Sequence, residues 1–126
     1  MESKIGNVNY INEVIMIMDK YSIDKKDIIF VGSAVQAVLE IRKNSAIDIM
    51  IRPNKIPRSL RRRFLFSYTS QISSNVKLYK NRYRMIAQLD KFLFKKDAYF
   101  IVDDFRFADL SFEFHYKKKR KLCKDI

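Results

Sequence analysis

Much of what this chain could be is excluded by what it lacks. It has one cysteine, Cys123, so no internal disulfide can form, and one histidine, His115, so no Cys/His zinc site can be assembled. Cys123 stands alone in a lysine-rich tail and reads as an incidental free thiol. His115 reads as a packed or helix-surface histidine rather than a base. No apolar run approaches the length that crosses a bilayer, and the opening MESKIGNVNY lacks a charged-then-apolar signal pattern. A cytoplasmic protein without a membrane partner is therefore expected. Two glycines and two prolines leave no linker, and there are no repeats or low-complexity segments, so residues 1–126 read as a single domain. Apolar residues make up 48%, which excludes disorder.

Acids are also scarce: 14 against 26 Lys and Arg, a formal net charge of +12. Such an excess favours a polyanionic partner through counterion release, with nucleic acid first. A solvated lysine-rich surface accounts for the same totals, so distribution matters more. Arg58, Arg61, Arg62 and Arg63 follow Pro57, which is placed to open a helix. Positions 58, 61 and 62 share a helical face, where like charges repel, and this points to an anion-binding role. A second run, Lys117, Lys118, Lys119, Arg120, Lys121 and Lys124, ends the last segment, which opens at Asp109. A helix C-terminus accommodates part of that run, and six cations exceed what the dipole uses.

Elsewhere, Val8, Ile11, Ile15 and Met18, widened by Val14, Ile17 and Tyr21, predict an amphipathic helix over 8–21 with Asn7 as its cap, covering a sheet. Ser67 to Asn75 reads as a polar loop or a helix end. Val76–Tyr79 alternates as a strand, and Tyr83–Phe94 reads as a longer one carrying Asp90. Asp103-Asp104, between two apolar runs, suits a two-residue hairpin turn. Phe64, Phe66, Tyr68, Tyr79 and Tyr83 read mainly as core, with base stacking as the other use.

The chemistry concentrates between Ile28 and Ile51. The run IIFV meets Gly32-Ser33, a helix-like segment spans Ala34 to Arg42, and a second apolar run, IDIMI, contains Asp48. This predicts strand, phosphate-sized turn, helix and strand. Backbone N–H groups at Gly32-Ser33 and the Ser33 hydroxyl can hold a phosphate, with glycine allowing close approach. Asp48 in an apolar strand needs a reason, because burying an unpaired acid is costly. A parallel neighbouring strand would bring it beside the turn, and Asp90 could face the same cleft. Carboxylate and phosphate oxygens are what Mg²⁺ uses.

These residues resemble the signature of the polymerase-β-type nucleotidyltransferase superfamily: Gly-Ser after a strand, a helix, then D-h-D-h on the next strand. The likeness is nearest to small bacterial and phage members, where an Ile-Arg pair like Ile41-Arg42 precedes the second motif. The tail FRFADLSFEFHYKKKRKLCKDI is also similar to theirs. The resemblance covers most of the chain from Ile28, less clearly over 53–82. It implies an α/β (α+β) fold, a short mixed sheet flanked by helices, with Ile28–Val31 and Ile47–Ile51 at its centre. It also implies that Gly32 and Ser33 hold an NTP such as ATP, that Asp48 is the second signature acid, and that Asp90 is the third. Asp48 and Asp90 would then be catalytic and bind Mg²⁺. The first acid position, however, is Ala46, whether by nature or by replacement of an aspartate, and one lost ligand leaves too few carboxylates for two divalent ions.

Two functions follow. In one, the chain, or a parent with aspartate at 46, transfers a nucleoside monophosphate from an NTP to RNA or tRNA, which the basic segments grip. In the other, a degenerate nucleotidyltransferase fold binds RNA or a ribonucleoprotein without turnover, as a binding module or an inhibitor. Similar proteins continue past Lys124-Asp125-Ile126 into another helix, which leaves room for a protein partner or a homo-oligomer.

Overall fold

The two apolar runs Ile28–Val31 (β1) and Ile47–Ile51 (β2) pair with each other at the centre of a sheet. The computed structural model describes residues 4–62, 69–79 and 98–109. Further strands are Thr69–Gln71 (β3), Val76–Tyr79 (β4), Tyr99–Val102 (β5) and Phe105–Ala108 (β6). Helices are Ile11–Tyr21 (α1), Ser33–Val38 (α2) and Arg58–Arg61 (α3). Among the described residues the strands form one sheet in the order β3-β4-β2-β1-β6-β5. β1 pairs antiparallel with β2 and parallel with β6, β2 pairs parallel with β4, and β3/β4 and β5/β6 are antiparallel. The fold is α+β, a mixed sheet with helices.

All four residues of β1 are buried, as are Ile47, Ile49, Met50 and Ile51 of β2, so both faces of the central pair are covered. Continuous β-branched runs suit that position better than alternation does. Phe30, Phe107 and Phe100 form a cross-strand aromatic row over β1, β6 and β5. Their ring centroids are 4.8 Å and 5.7 Å apart, and the registers Phe30↔Phe107 and Phe100↔Phe107 set it up. Such pairs add roughly 0.5–1.5 kcal/mol each beyond area burial. Asp103-Asp104 do form the hairpin turn, with φ of 51° and 67°, the mirror-image geometry that matches strand twist.

Three elements differ from their sequence reading. The first helix begins at Ile11, and Asn7 ends a short 3-10 turn, Lys4–Asn7, instead of capping it. Val8 is buried and Tyr10 adopts φ 70°, so the chain bends before the helix starts. The helix buries Val14, Ile17 and Met18 and leaves Ile15 exposed, which shifts the covering face from the expected stripe. α2 stops at Val38, because Glu40 takes φ 62° and turns the chain outward to an exposed Ile41. Within Ser67–Asn75, Thr69–Gln71 is a strand with Ser70 buried. The expected strand 83–94 and the segment beyond Asp109 lie outside the described residues.

Each end of the central sheet has a polar fastener. At one end, buried Asp27 accepts a hydrogen bond from Arg52 Nε at 2.9 Å, and the Arg52 backbone N–H donates to the Asp27 carbonyl at 2.7 Å. Arg52 and Arg106 also both donate to the Lys26 carbonyl. At the other end, Glu13 of α1 closes the β3–β4 loop. It accepts from the Ser73 hydroxyl at 2.7 Å, the Asn75 side-chain amide at 2.8 Å and the Asn75 backbone N–H at 3.1 Å.

Hydrogen bonds from Ser73 and Asn75 hold the Glu13 carboxyl below its ordinary value of 4.5. As pH falls, the unfolded chain takes up this proton before the folded one does. The stabilisation is therefore complete well above 4.5 and is lost as pH drops through the lower folded value. Glu13→Gln should cost about 1 kcal/mol at neutral pH. It should also flatten this part of the stability profile between neutral and acidic pH, as read by urea denaturation across a pH series.

Candidate functional site

β1 ends where β2 begins: the last register pair is Val31↔Asp48. The two strands are antiparallel, not parallel as expected, yet Asp48 still reaches the turn. The excursion from Ser33 to Ala46 is short and folds back on itself. α2 has six residues, about 9 Å of helix, and the left-handed Glu40 reverses the chain so that it returns to the end of β1 from which it left. An antiparallel partner beginning there puts its second residue beside the turn.

Gly32 sits in that turn with φ 68° and ψ −137°, a conformation that side chains rarely adopt. A Cβ at this position would lie 2.9 Å from Asp48 Oδ2. The carboxylate thus leans over the glycine and uses the space a side chain would fill. Asp48 is half-buried, at the end of a face whose other members on the central pair, Val31, Ile29 and Met50, are buried. The sheet face runs out at Asp48, which is how an acid is tolerated in an apolar strand.

Ser33 begins α2, and its hydroxyl donates to the Ala46 carbonyl at 3.2 Å, binding the turn to the residue that precedes β2. The Ala46 carbonyl also accepts from the Asn44 side-chain amide at 3.1 Å. Asn44 is buried and makes a reciprocal pairing with Asn9. It accepts from the Asn9 backbone N–H at 2.8 Å and donates to the Asn9 carbonyl at 3.0 Å, and its own carbonyl accepts from the Asn9 side chain at 2.9 Å. Every polar group of the Asn44 side chain is used. Sequence reasoning passed over this latch, since nothing separates Asn9 and Asn44 from other polar loop residues until the fold juxtaposes them.

Lys77 was also passed over. β4 lies parallel to β2 with Asp48↔Lys77 in register, so the lysine and the acid share a face. Of the basic residues read from the sequence, Arg58 and Arg61 on α3 and Arg62 just after it are exposed, while Leu60 is fully buried. Arg61 Nε donates to the Ile56 carbonyl at 3.0 Å. The chain reaches α3 from the end of β2 opposite Asp48. The structure therefore brings Gly32, Ser33 and Asp48 together. Asp90, Arg63 and the run Lys117, Lys118, Lys119, Arg120 and Lys121 lie outside the described residues, as do Cys123 and His115.

Among the described residues no group of three or more His, Cys, Asp or Glu side chains could hold a metal ion. Likewise, no helix there is long and apolar enough to cross a membrane. No protein-family model, curated protein or solved structure matches the chain.

Gly32→Ala should destabilise the fold by about 1–3 kcal/mol from backbone strain alone, with a further cost from the clash against Asp48. In an Asp48→Ala background the clash disappears and only the strain remains. A double-mutant cycle in urea should therefore show non-additivity between positions 32 and 48.

Proposed function

We propose that this chain is a nucleotidyltransferase-like protein. The Gly32-Ser33 turn holds the triphosphate of an NTP, and Asp48 is the carboxylate nearest the ligand. RNA or tRNA is the acceptor, gripped by the exposed arginines of α3. The observation that carries this reading is the seating of the Asp48 carboxylate against a side-chain-free, positive-φ Gly32 between the end of a strand and the start of a helix. An acid from the next strand beside a phosphate-sized turn is the arrangement phosphoryl transfer needs, with an anion held and a hard cation's ligand next to it.

Asp48 is the residue that would hold a Mg²⁺ brought in with the phosphates; among the described residues no group of three or more potential ligands stands with it. When bound, Mg²⁺ would neutralise phosphate charge and polarise the phosphoryl oxygens. This chain's own residues position the ligand: the turn approaches it closely through Gly32, and the Ser33–Ala46 hydrogen bond braces the turn. With Ala46 in place of an acid, transfer is impaired in the chain as written. The competing reading, a nucleotidyltransferase fold that binds RNA without turnover, is favoured by the cation at Lys77 beside Asp48 and by the exposed α3 arginines.

Labelled NTPs, Mg²⁺ and total RNA incubated with the protein and with Ala46→Asp separate the two. Label transfer that appears or rises at least tenfold with Ala46→Asp supports the enzyme. Silence from both, with salt-sensitive RNA binding retained, supports the binding module. In either case Arg58→Ala with Arg61→Ala should weaken RNA binding and lower the slope of log affinity against log salt by about 1–2.

A further inference from the structure

We propose that the exposed cations of residues 55–62 form a grip that reads RNA by its phosphates alone, at the end of the sheet away from the Gly32 turn. The grip rests on the RNA partner of the reading above and does not need the nucleotide.

Charge is unevenly placed along the chain. Between Asp48 and Asp90 there is no acid, while ten Lys and Arg stand there, so this stretch carries most of the net charge of +12. Topology puts the described part of that excess at one end of the sheet. β2 runs from Ile47, beside the turn, to Ile51, and β3 begins at Thr69 opposite Tyr79, the last residue of β4. Because β4 is parallel to β2, the segment between β2 and β3 leaves and re-enters the sheet at the end opposite Asp48. In that segment Lys55, Arg58, Arg61 and Arg62 are exposed and make no ion pair among the described residues. Leu60 is fully buried and Ile56 half-buried, which anchors the segment from beneath. The β6 side of the same end is balanced instead: Lys25, Lys26 and Arg106 line a cleft with Asp24 and Asp104, and Arg52 is paired with Asp27.

Arg58 and Arg62 stand four residues apart, a helical spacing at which like charges repel. A polyanion relieves that cost and gains the release of its counterions. Guanidinium forks match phosphate oxygens. No large apolar side chain among the described residues 54–62 is exposed. The segment therefore offers neither a stacking platform for bases nor a wedge for a bilayer, and phosphates are what it can hold. Phosphate contacts position a strand without reading its sequence. Distance then sets a length. The four steps from Asp48 to Arg52 cover about 13 Å of strand, or about four stacked nucleotides at about 3.4 Å each. An RNA whose end lies at the turn is gripped at least that far inward, so a tetranucleotide cannot fill both places. Length is selected, and sequence is not.

Fluorescence anisotropy of the full chain with labelled oligouridylate and oligoadenylate, each of four and of twelve nucleotides, tests this. The two twelve-mers should bind within about threefold of each other, and the four-mers at least about tenfold more weakly. Lys55→Gln with Arg58→Gln and Arg62→Gln should weaken twelve-mer binding at least about tenfold and lower the slope of log affinity against log salt by about 2. Arg61 is left in place because its Nε braces the Ile56 carbonyl. Lys55→Arg with Arg58→Lys and Arg62→Lys, which keeps the charge, should keep most of the binding. Lys20→Gln with Lys25→Gln and Lys26→Gln removes as much charge elsewhere and should cost less than about threefold. Thermal melts confirm that each variant folds. Equal losses from the two neutralised triple variants, or four-mers that bind as tightly as twelve-mers, overturn the grip while the RNA reading stands. If phosphatidylserine vesicles bind through Lys55, Arg58 and Arg62 and the twelve-mers do not bind, the face belongs to an anionic membrane and the grip on RNA is overturned. Binding of no RNA and no vesicle removes the RNA reading and the grip together.

Discussion

The antiparallel register of β1 and β2 is the constraint on which the rest depends. It buries Ile28–Val31 on both faces and sets the aromatic row over β6 and β5 from Phe30. It also ends on the pair Val31↔Asp48, so the last carboxylate of the central pair falls beside the first residue after β1. That residue has to be glycine twice over: its backbone angle disfavours a side chain, and Asp48 already fills the space where one would go. A single register thus produces both the core and the candidate site.

Around this apolar centre, stability at the ends is delegated to a few satisfied polar groups. Asn44 and Asn9 exchange hydrogen bonds under cover, Glu13 closes the β3–β4 loop, and Asp27 is answered by Arg52. Asn44 and Asp27 are buried, so removing the partner of either costs more than the bond itself contributes. Two of the three fasteners, those of Asn44 and Glu13, meet the sheet at the Asp48 end. Two strands of constraint therefore converge on the turn: packing from below through Ile29 and Met50, and hydrogen bonding from the side through Ala46 and Ser33.

Asp48 and Lys77 share a face one strand apart, so an acid and a cation stand side by side at this end of the sheet. In the proposed reading RNA is the partner, and the net charge of +12 is compatible with it.

The order of local elements was legible because it rests on local physics. Apolar runs announced β1 and β2, and alternation announced β4. Paired aspartates between two apolar runs announced the β5–β6 turn, and Pro57 announced α3. Asp48 stood out as an acid in an apolar strand, and Gly32-Ser33 as a turn between a strand and a helix. Strand direction was not legible: a parallel and an antiparallel β2 have the same sequence pattern, and the choice depended on where Glu40 turned the chain. Nor could alternation say which lysine would face which acid, because register is settled by the burial of Val76 and Leu78 against a sheet that the local sequence does not contain. The sequence by itself determined that a buried strand pair would carry an acid near a glycine turn. The tertiary structure decided that this acid would lean over Gly32 with Lys77 beside it, since contacts between distant segments are fixed by packing and not by local propensity.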